Sequence, residues 1–113
     1  MTLISGNQSF ACYALVDSGA DDCIFPASFG TVLGFNVRTG RHYTFGGAGG
    51  GGIQSAYFFD LQIAIQNIGK YKMPIGFTTA LENAGIGLLG QNGFFDRFRI
   101  GFNLRKGIFT LTR

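Results

Sequence analysis

The residues of this sequence whose types and spacing best fit catalysis are Asp17, Ser18 and Gly19, which follow an apolar run and precede Asp21 and Asp22. A carboxylate at the end of an apolar strand, followed by a small hydroxyl residue and a glycine, favours exposure on a tight turn. Ser18 can hydrogen-bond the backbone and fix that turn, and Gly19 lets another chain approach closely. Taken alone, the triplet is ordinary turn chemistry, so its meaning depends on the rest of the sequence.

Two further segments give that context. A glycine-rich segment begins at Phe45, and Ile86-Gly87-Leu88-Leu89-Gly90-Gln91-Asn92 lies near the other end. With these three motifs in this order, the sequence resembles the retroviral-type aspartic proteases, the single-lobe relatives of the pepsins. The resemblance covers about Phe10 to Phe98. The Ile24-Phe25-Pro26 segment and a C-terminal hairpin make it look more like cellular or bacterial members than viral ones.

The resemblance implies an aspartic endopeptidase and a role for each residue of the first motif. Asp17 would hold and activate a water molecule. Ser18 would bond to the equivalent turn of a second chain and brace the two aspartates. Gly19, Asp21 and Asp22 would hydrogen-bond the backbone of an extended substrate.

The glycine-rich segment corresponds, by the same resemblance, to a flap that lies over the substrate and presents backbone N–H groups. Its residues are Gly46, Gly47, Ala48, Gly49 and Gly50. Binding between strands in this way uses main-chain hydrogen bonds for affinity and side-chain pockets for specificity. Phe45, Ile53 and Ile86 are the predicted apolar pocket walls, although each could simply belong to the core.

Hydrolysis of a peptide by two carboxylates needs one ionised group to take a proton from water and one protonated group to donate to the carbonyl oxygen. This chain has one suitable aspartate, because Asp60 and Asp96 lack the Ser-Gly turn. We therefore expect the two carboxylates to be Asp17 of two chains in a symmetric homodimer. The substrate is a peptide or protein, and no metal or cofactor is expected.

Two features depart from the family pattern. The position after the glycine of the third motif is usually Arg in the retroviral enzymes, and it is Gln91 here. The lead-in before Asp17 is short, so the hairpin of Phe98 to Arg113 is the candidate for the dimer interface.

Alternating apolar and polar residues predict the strands that position these motifs. Leu61 to Ile65 and Tyr71 to Phe77 form a predicted hairpin with a turn at Asn67-Ile68-Gly69. A second hairpin joins Phe98 to Leu104 with Ile108 to Thr112 through a turn at Lys106-Gly107. The near-continuous apolar run from Phe10 to Val16 predicts a strand buried on both faces.

Helical signal is weak. Gln91 to Phe98 is consistent with one or two helical turns, and Ala27 to Leu33 with another short turn that ends at Gly34. The fold prediction is therefore all-β: a single-lobe, closed acid-protease barrel with a flap hairpin and one short helix, forming one domain over residues 1–113.

Composition excludes several other classes. The 113 residues carry a net charge of +3, but only 13% are charged, which is too sparse for a surface that follows nucleic-acid phosphates. Glycines and polar residues interrupt the longest uncharged window, so no membrane span is expected. The first sixteen residues carry no charged side chain, unlike a secretory signal, and a cytoplasmic location is slightly favoured.

Competing motifs are weaker. Gly47 to Gly52 satisfies G-x-G-x-x-G, but a strand pattern follows where a dinucleotide fold needs a helix. Cys12, Cys23 and His42 lack the spacing of a zinc site. Cys12 is predicted to be buried and Cys23 to be partly exposed. The alternative that remains open is a catalytically weak or inactive member of the family that serves as a dimerisation or peptide-binding module.

Overall fold

The computed structural model describes residues 1–46, 52–103 and 108–112. About half of the chain, 51%, is strand, and the helix α1 spans Ala27–Val32. The strands are β1 (Thr2–Ser5), β2 (Gln8–Ala11), β3 (Ala14–Val16), β4 (Ile24–Pro26), β5 (Arg41–Gly46), β6 (Ile53–Ile65), β7 (Gly69–Thr78), β8 (Gly87–Leu89), β9 (Arg99–Asn103) and β10 (Ile108–Thr112). Short 3-10 turns lie at Val37–Thr39 and Thr79–Leu81.

The hairpin of β6 and β7 is the longest antiparallel pair, in register from Tyr57 opposite Phe77 to Ile65 opposite Gly69. Its turn lies where the sequence predicts it. Asn67 has φ of 66° and Gly69 has φ of 141°, backbone conformations that Asn and Gly adopt more readily than other residues. The Ile68 N–H donates to the Ile65 carbonyl oxygen at 3.0 Å and closes the turn.

Eight strands form one curled sheet that resembles half a barrel, in the order β2-β1-β6-β7-β4-β8-β3, with β5 paired to β6. The all-β prediction is confirmed, but the described strands do not form a closed barrel. The sheet path ends at β2 and β3, which are not paired with each other in the described part of the chain. β2 and β3 are joined by only two residues, so the sheet is left open between two strands that follow each other closely in the chain.

The run from Phe10 to Val16 differs from its prediction. It forms two strands, β2 and β3, and the side chains of Tyr13 and Leu15 are 84% and 54% exposed. An apolar run reveals the composition of a strand but not how many of its faces are covered. β3 pairs only with β8, in parallel, so it is an edge strand of this sheet.

The core lies inside the curl of the sheet and is built largely from β4, β6 and β7. Phe25, Ile63, Ile75 and Phe77 have no exposed surface. In β6 the buried positions switch from even numbers in its first half to odd numbers in its second, the change of face falling at Phe59 and Asp60. The buried side chains of the two halves of β6 therefore lie on opposite faces of the strand.

The helical predictions have mixed outcomes. α1 begins after Pro26 and ends before Gly34, whose φ is +91°, as the sequence predicts. Residues 93–97 form hydrogen-bonded turns rather than a regular helix, with the Phe98 N–H donating to the Phe94 carbonyl oxygen at 3.2 Å. Both phenylalanines are nevertheless buried, with ring centroids 5.0 Å apart, so the predicted packing of this segment on the core is present.

The predicted C-terminal hairpin is present as β9 paired with β10, in a sheet separate from the first. Its predicted turn at Lys106-Gly107 lies outside the described residues. In the described part of the chain, no helix is long and apolar enough to cross a bilayer.

Candidate active site

Asp17 is the first residue after β3 and begins a tight turn. Its N–H donates to the Leu89 carbonyl oxygen at 3.0 Å, and its carbonyl oxygen accepts from the Ala20 N–H at 3.1 Å. The half-buried carboxylate accepts the Gly19 N–H through Oδ1 at 2.9 Å. One carboxylate oxygen is thus held by the turn itself, and Oδ2 has no hydrogen-bond partner among the described residues.

The third motif supports this turn through hydrogen bonds. β8 runs parallel to β3, and the residues that follow β8 contact the turn. There the Gln91 N–H donates to the Ala20 carbonyl oxygen and the Asn92 N–H to that of Asp21, at 2.9 and 2.8 Å. The Gln91 side-chain amide also donates through Nε2 to the Ser18 carbonyl oxygen at 2.7 Å. Gln91, which stands where the family usually has Arg, therefore supports the turn directly.

Gly90 makes this close approach possible. A Cβ at this position would lie 2.5 Å from the Asp22 carbonyl oxygen and 2.6 Å from that of Ala20, both backbone atoms. The Gly90 N–H donates to the Cys23 Sγ at 3.4 Å, and its carbonyl oxygen accepts from the Phe95 N–H at 3.1 Å. The motif therefore needs glycine at this position because the two segments are in contact here.

The turn borders a groove of about 330 Å³ together with β5, the strand that leads into the predicted flap and is called the flap strand below. Its walls combine the acids of the turn with aromatic and aliphatic side chains. They are Asp17, Gly19, Ala20, Asp21, Asp22, Ile24, Tyr43, Thr44, Phe45, Phe58 and Leu88. The groove therefore brings together five of the site residues named from the sequence: Asp17, Gly19, Asp21, Asp22 and Phe45.

The remaining predicted site residues lie elsewhere. Ser18 is exposed on the turn beside the groove, and Ile53 is 74% exposed opposite Gly46 at the end of the β5–β6 pair. Ile86 precedes β8 and is not among the lining residues. The predicted flap tip, Gly47, Ala48, Gly49 and Gly50, lies outside the described residues.

Several residues that line the groove were not predicted from the sequence. Tyr43 lies two residues before Phe45 in β5, and Leu88 two residues after Ile86. Residues two apart in a strand face the same side, so extending each predicted wall by two positions would have found both. Phe58 comes from β6, opposite Arg41 of β5, and only the register of the hairpin reveals it.

The charge of the groove comes from carboxylates. Asp17, Asp21 and Asp22 line it, and none of its lining residues is Lys or Arg. Asp22 is oriented by Asn92, whose side-chain amide donates to Oδ1 at 3.0 Å. The other two aspartates have separate structural settings: Asp60 pairs with Arg41 on the surface, and Asp96 accepts the Gly93 N–H. The groove is thus acidic in a chain whose net charge is positive.

Cys23 directly follows the acids of the Asp17 turn and is fully buried, contrary to the prediction of partial exposure. The sequence places it next to Asp22, but its side chain faces the opposite side, toward Gly90 and Asn92. Burial raises the pKa of its thiol, and burial also raises the pKa of the half-buried Cys12.

This placement predicts the reactivity of the two thiols. Because the thiolate is the reactive species, iodoacetamide at pH 8 should alkylate Cys12 more slowly than a free thiol. Cys23 should react at least about a hundredfold more slowly than it does in urea-unfolded protein, because its modification requires opening of the core. Peptide mapping by mass spectrometry over time measures both rates. Comparable rates for Cys23 in the native and unfolded protein would contradict its buried position.

Among the described residues, no group of three or more His, Cys, Asp or Glu side chains is arranged to hold a metal ion. Comparisons with protein-family models, curated proteins and solved structures found no match to this chain. The assignment of a function therefore depends on the residues and geometry of the groove.

Proposed function

We propose that this chain is an aspartic endopeptidase of the retroviral type that acts as a homodimer on extended polypeptides. The observation that carries the proposal is the position of Asp17. Its half-buried carboxylate is fixed by the backbone of a tight turn, with one oxygen unpartnered among the described residues, in an open groove bordered by the flap strand β5. The hydrogen bond from the Gly19 N–H is that of an ordinary Asx turn, so the proposal depends on the second oxygen and on the groove beside it.

The chemistry requires two such carboxylates. The ionised carboxylate takes a proton from water while the resulting hydroxide attacks the peptide carbonyl carbon, and the protonated carboxyl group donates its proton to the carbonyl oxygen. Collapse of the tetrahedral intermediate returns a proton to the nitrogen and breaks the C–N bond. One chain supplies one Asp17, so the second comes from a symmetry-related chain.

The distribution of exposed apolar side chains supports a partner at this face. Six large apolar side chains are exposed among the described residues. Tyr13 immediately precedes β3 and Leu15 lies within it, and Tyr43, Phe45 and Ile53 lie on the β5–β6 hairpin. Tyr43 and Phe45 also line the groove, and exposed apolar surface is typical of an interaction site. A second chain and a bound peptide would cover these elements.

A cleavage assay tests the proposal. Purified protein is incubated with a mixed peptide pool from pH 3 to 8, beside an Asp17→Asn control, and products are identified by mass spectrometry. We expect cuts by the wild-type protein that are absent from the control and most frequent at acidic to mildly acidic pH, where the pair of carboxylates shares one proton. Cuts that persist in the control, or a rate that rises steadily toward pH 8, would contradict the proposal.

A shared site also predicts a dependence on concentration. Below the dissociation constant of the dimer, activity per chain should fall about in proportion to the concentration, because the dimeric fraction does. Activity measured over a dilution series, with the mass of the species followed by sedimentation, checks this. Constant activity per chain from a species of monomer mass would rule out a site shared between chains.

The alternative is a module that binds peptides without turnover, which the same acidic groove would permit. It predicts that wild-type and Asp17→Asn proteins bind a peptide pool similarly and that neither cuts it. Peptide binding measured beside the cleavage assay separates the two functions.

A further inference from the structure

A second cavity of about 330 Å³ adjoins the catalytic groove. It shares Asp22, Tyr43 and Phe58 with the groove, so the two spaces are continuous along the flap strand. Arg41, Pro74 and Asn92 complete its walls. Three of the six lining residues come from the β5–β6 hairpin: Arg41, Tyr43 and Phe58.

The uncompensated charge in this cavity is that of Asp22. Its Oδ1 accepts the Asn92 amide, which is neutral, and no Lys, Arg or His among the described residues forms an ion pair with it. Arg41, in contrast, is paired with Asp60, with Nη2 and Oδ1 3.3 Å apart. Arg41 thus has a carboxylate partner, whereas Asp22 has no cationic partner among the described residues and is available to a cationic ligand.

The aromatic walls fit the same kind of ligand. Tyr43 is 57% exposed. Its ring meets the buried Phe58 ring edge-on, with centroids 5.4 Å apart and an interplanar angle of 89°. An ammonium or guanidinium group is attracted to the face of such a ring. Phe58 and Pro74 offer an apolar surface on which the aliphatic part of a long basic side chain can pack.

From these features we infer that this cavity is a specificity pocket for a Lys or Arg side chain of the substrate, held by Asp22 and the Tyr43 ring. The inference rests on the proposed peptidase function. Alternate side chains of an extended peptide point to the same side. The basic residue therefore lies about two positions from the residue whose side chain occupies the groove.

Positional-scanning peptide pools test this pocket. Each pool contains acetylated, amidated eight-residue peptides in which one position is fixed as Lys, norleucine or Glu and the other positions are randomised. Cleavage by the wild-type protein is compared with that by Asp22→Asn, which keeps the shape of the side chain and an oxygen to accept the Asn92 amide. Arg41→Gln is the matched control, because it removes the cation of the same cavity.

We expect a preference for Lys over norleucine at one position, and a loss of about five- to tenfold in that preference in Asp22→Asn, as for a partly exposed charge pair. Cleavage of norleucine pools reports any loss of the backbone hydrogen bond predicted for Asp22, so the pocket is measured by the additional loss for Lys pools. Arg41→Gln should keep or increase the preference for Lys. Equal losses for Lys and norleucine, a preference for Glu, or no preference at any position would overturn the pocket.

Binding measured separately distinguishes failure of the pocket from failure of the peptidase function. The same pools, labelled with a fluorophore, are bound to Asp17→Asn protein with and without the Asp22→Asn change, and polarisation is recorded. Binding that prefers Lys and depends on Asp22, without cleavage by the wild-type protein, would support the pocket and reject the peptidase. Cleavage by the wild-type protein without a preference for Lys would support the peptidase and reject the pocket.

Discussion

The Asp17→Asn protein is expected to lose at least about a thousandfold in kcat, the scale on which general acid–base catalysis contributes. An asparagine keeps the shape of the side chain and an oxygen to accept the Gly19 N–H, so the turn should survive. It can neither take the proton from water nor share one with the opposite carboxylate. Initial rates on a peptide found by mass spectrometry, with circular dichroism to verify folding, measure the loss.

Mixing wild-type and Asp17→Asn chains tests whether each active site is shared between two chains. If each active site needs Asp17 from both chains, co-refolding equal amounts of wild-type and variant protein leaves about a quarter of the dimers active. A site complete within one chain would leave about half of the activity under the same conditions. The matched control is a mixture of wild-type protein with Glu82→Gln, whose carboxylate lies outside the groove and accepts the Ser28 N–H, and this mixture should keep nearly full activity.

The second large effect is expected from Gly90→Ala. An added methyl group would collide with the carbonyl oxygens of Ala20 and Asp22, which belong to the backbone of the Asp17 turn and cannot rotate away. We expect the free energy of unfolding to fall by about 3 kcal/mol, since overpacking of this kind costs about 1–3 kcal/mol or more. The melting temperature should fall by about 10 °C or more for a chain of this size. Thermal unfolding at a fixed protein concentration measures both.

Gly85→Ala provides the matched control. Gly85 has φ of +68° and open space where a Cβ would lie, so this change adds backbone strain of about 1 kcal/mol without a collision. If Gly90→Ala destabilises the protein no more than Gly85→Ala does, the close contact between the Asp17 turn and the third motif is not present in solution.

Much of the fold could be predicted because alternation and turn residues are local signals. The strands around Leu61 to Ile65 and Tyr71 to Phe77, and the turn at Asn67-Ile68-Gly69, follow from the periodicity of side chains and from residues that tolerate a positive φ. The exposed faces of Tyr13 and Leu15 could not be predicted in this way. Whether an apolar strand is covered on one face or two depends on its neighbours in the sheet.

The candidate site likewise has one part that could be predicted from the sequence and one part that could not. The sequence by itself determined that Asp17 stands at the end of a strand in a Ser-Gly turn, because residue type and order are enough to predict a turn. Only the tertiary structure decided that Gln91 and Gly90 support this turn, since they lie about seventy positions away. The same holds for Phe58 and Leu88, which reach the groove through strand register, and for the ion pair between Arg41 and Asp60. Long-range pairing sets these contacts, and no local pattern in one sequence encodes them.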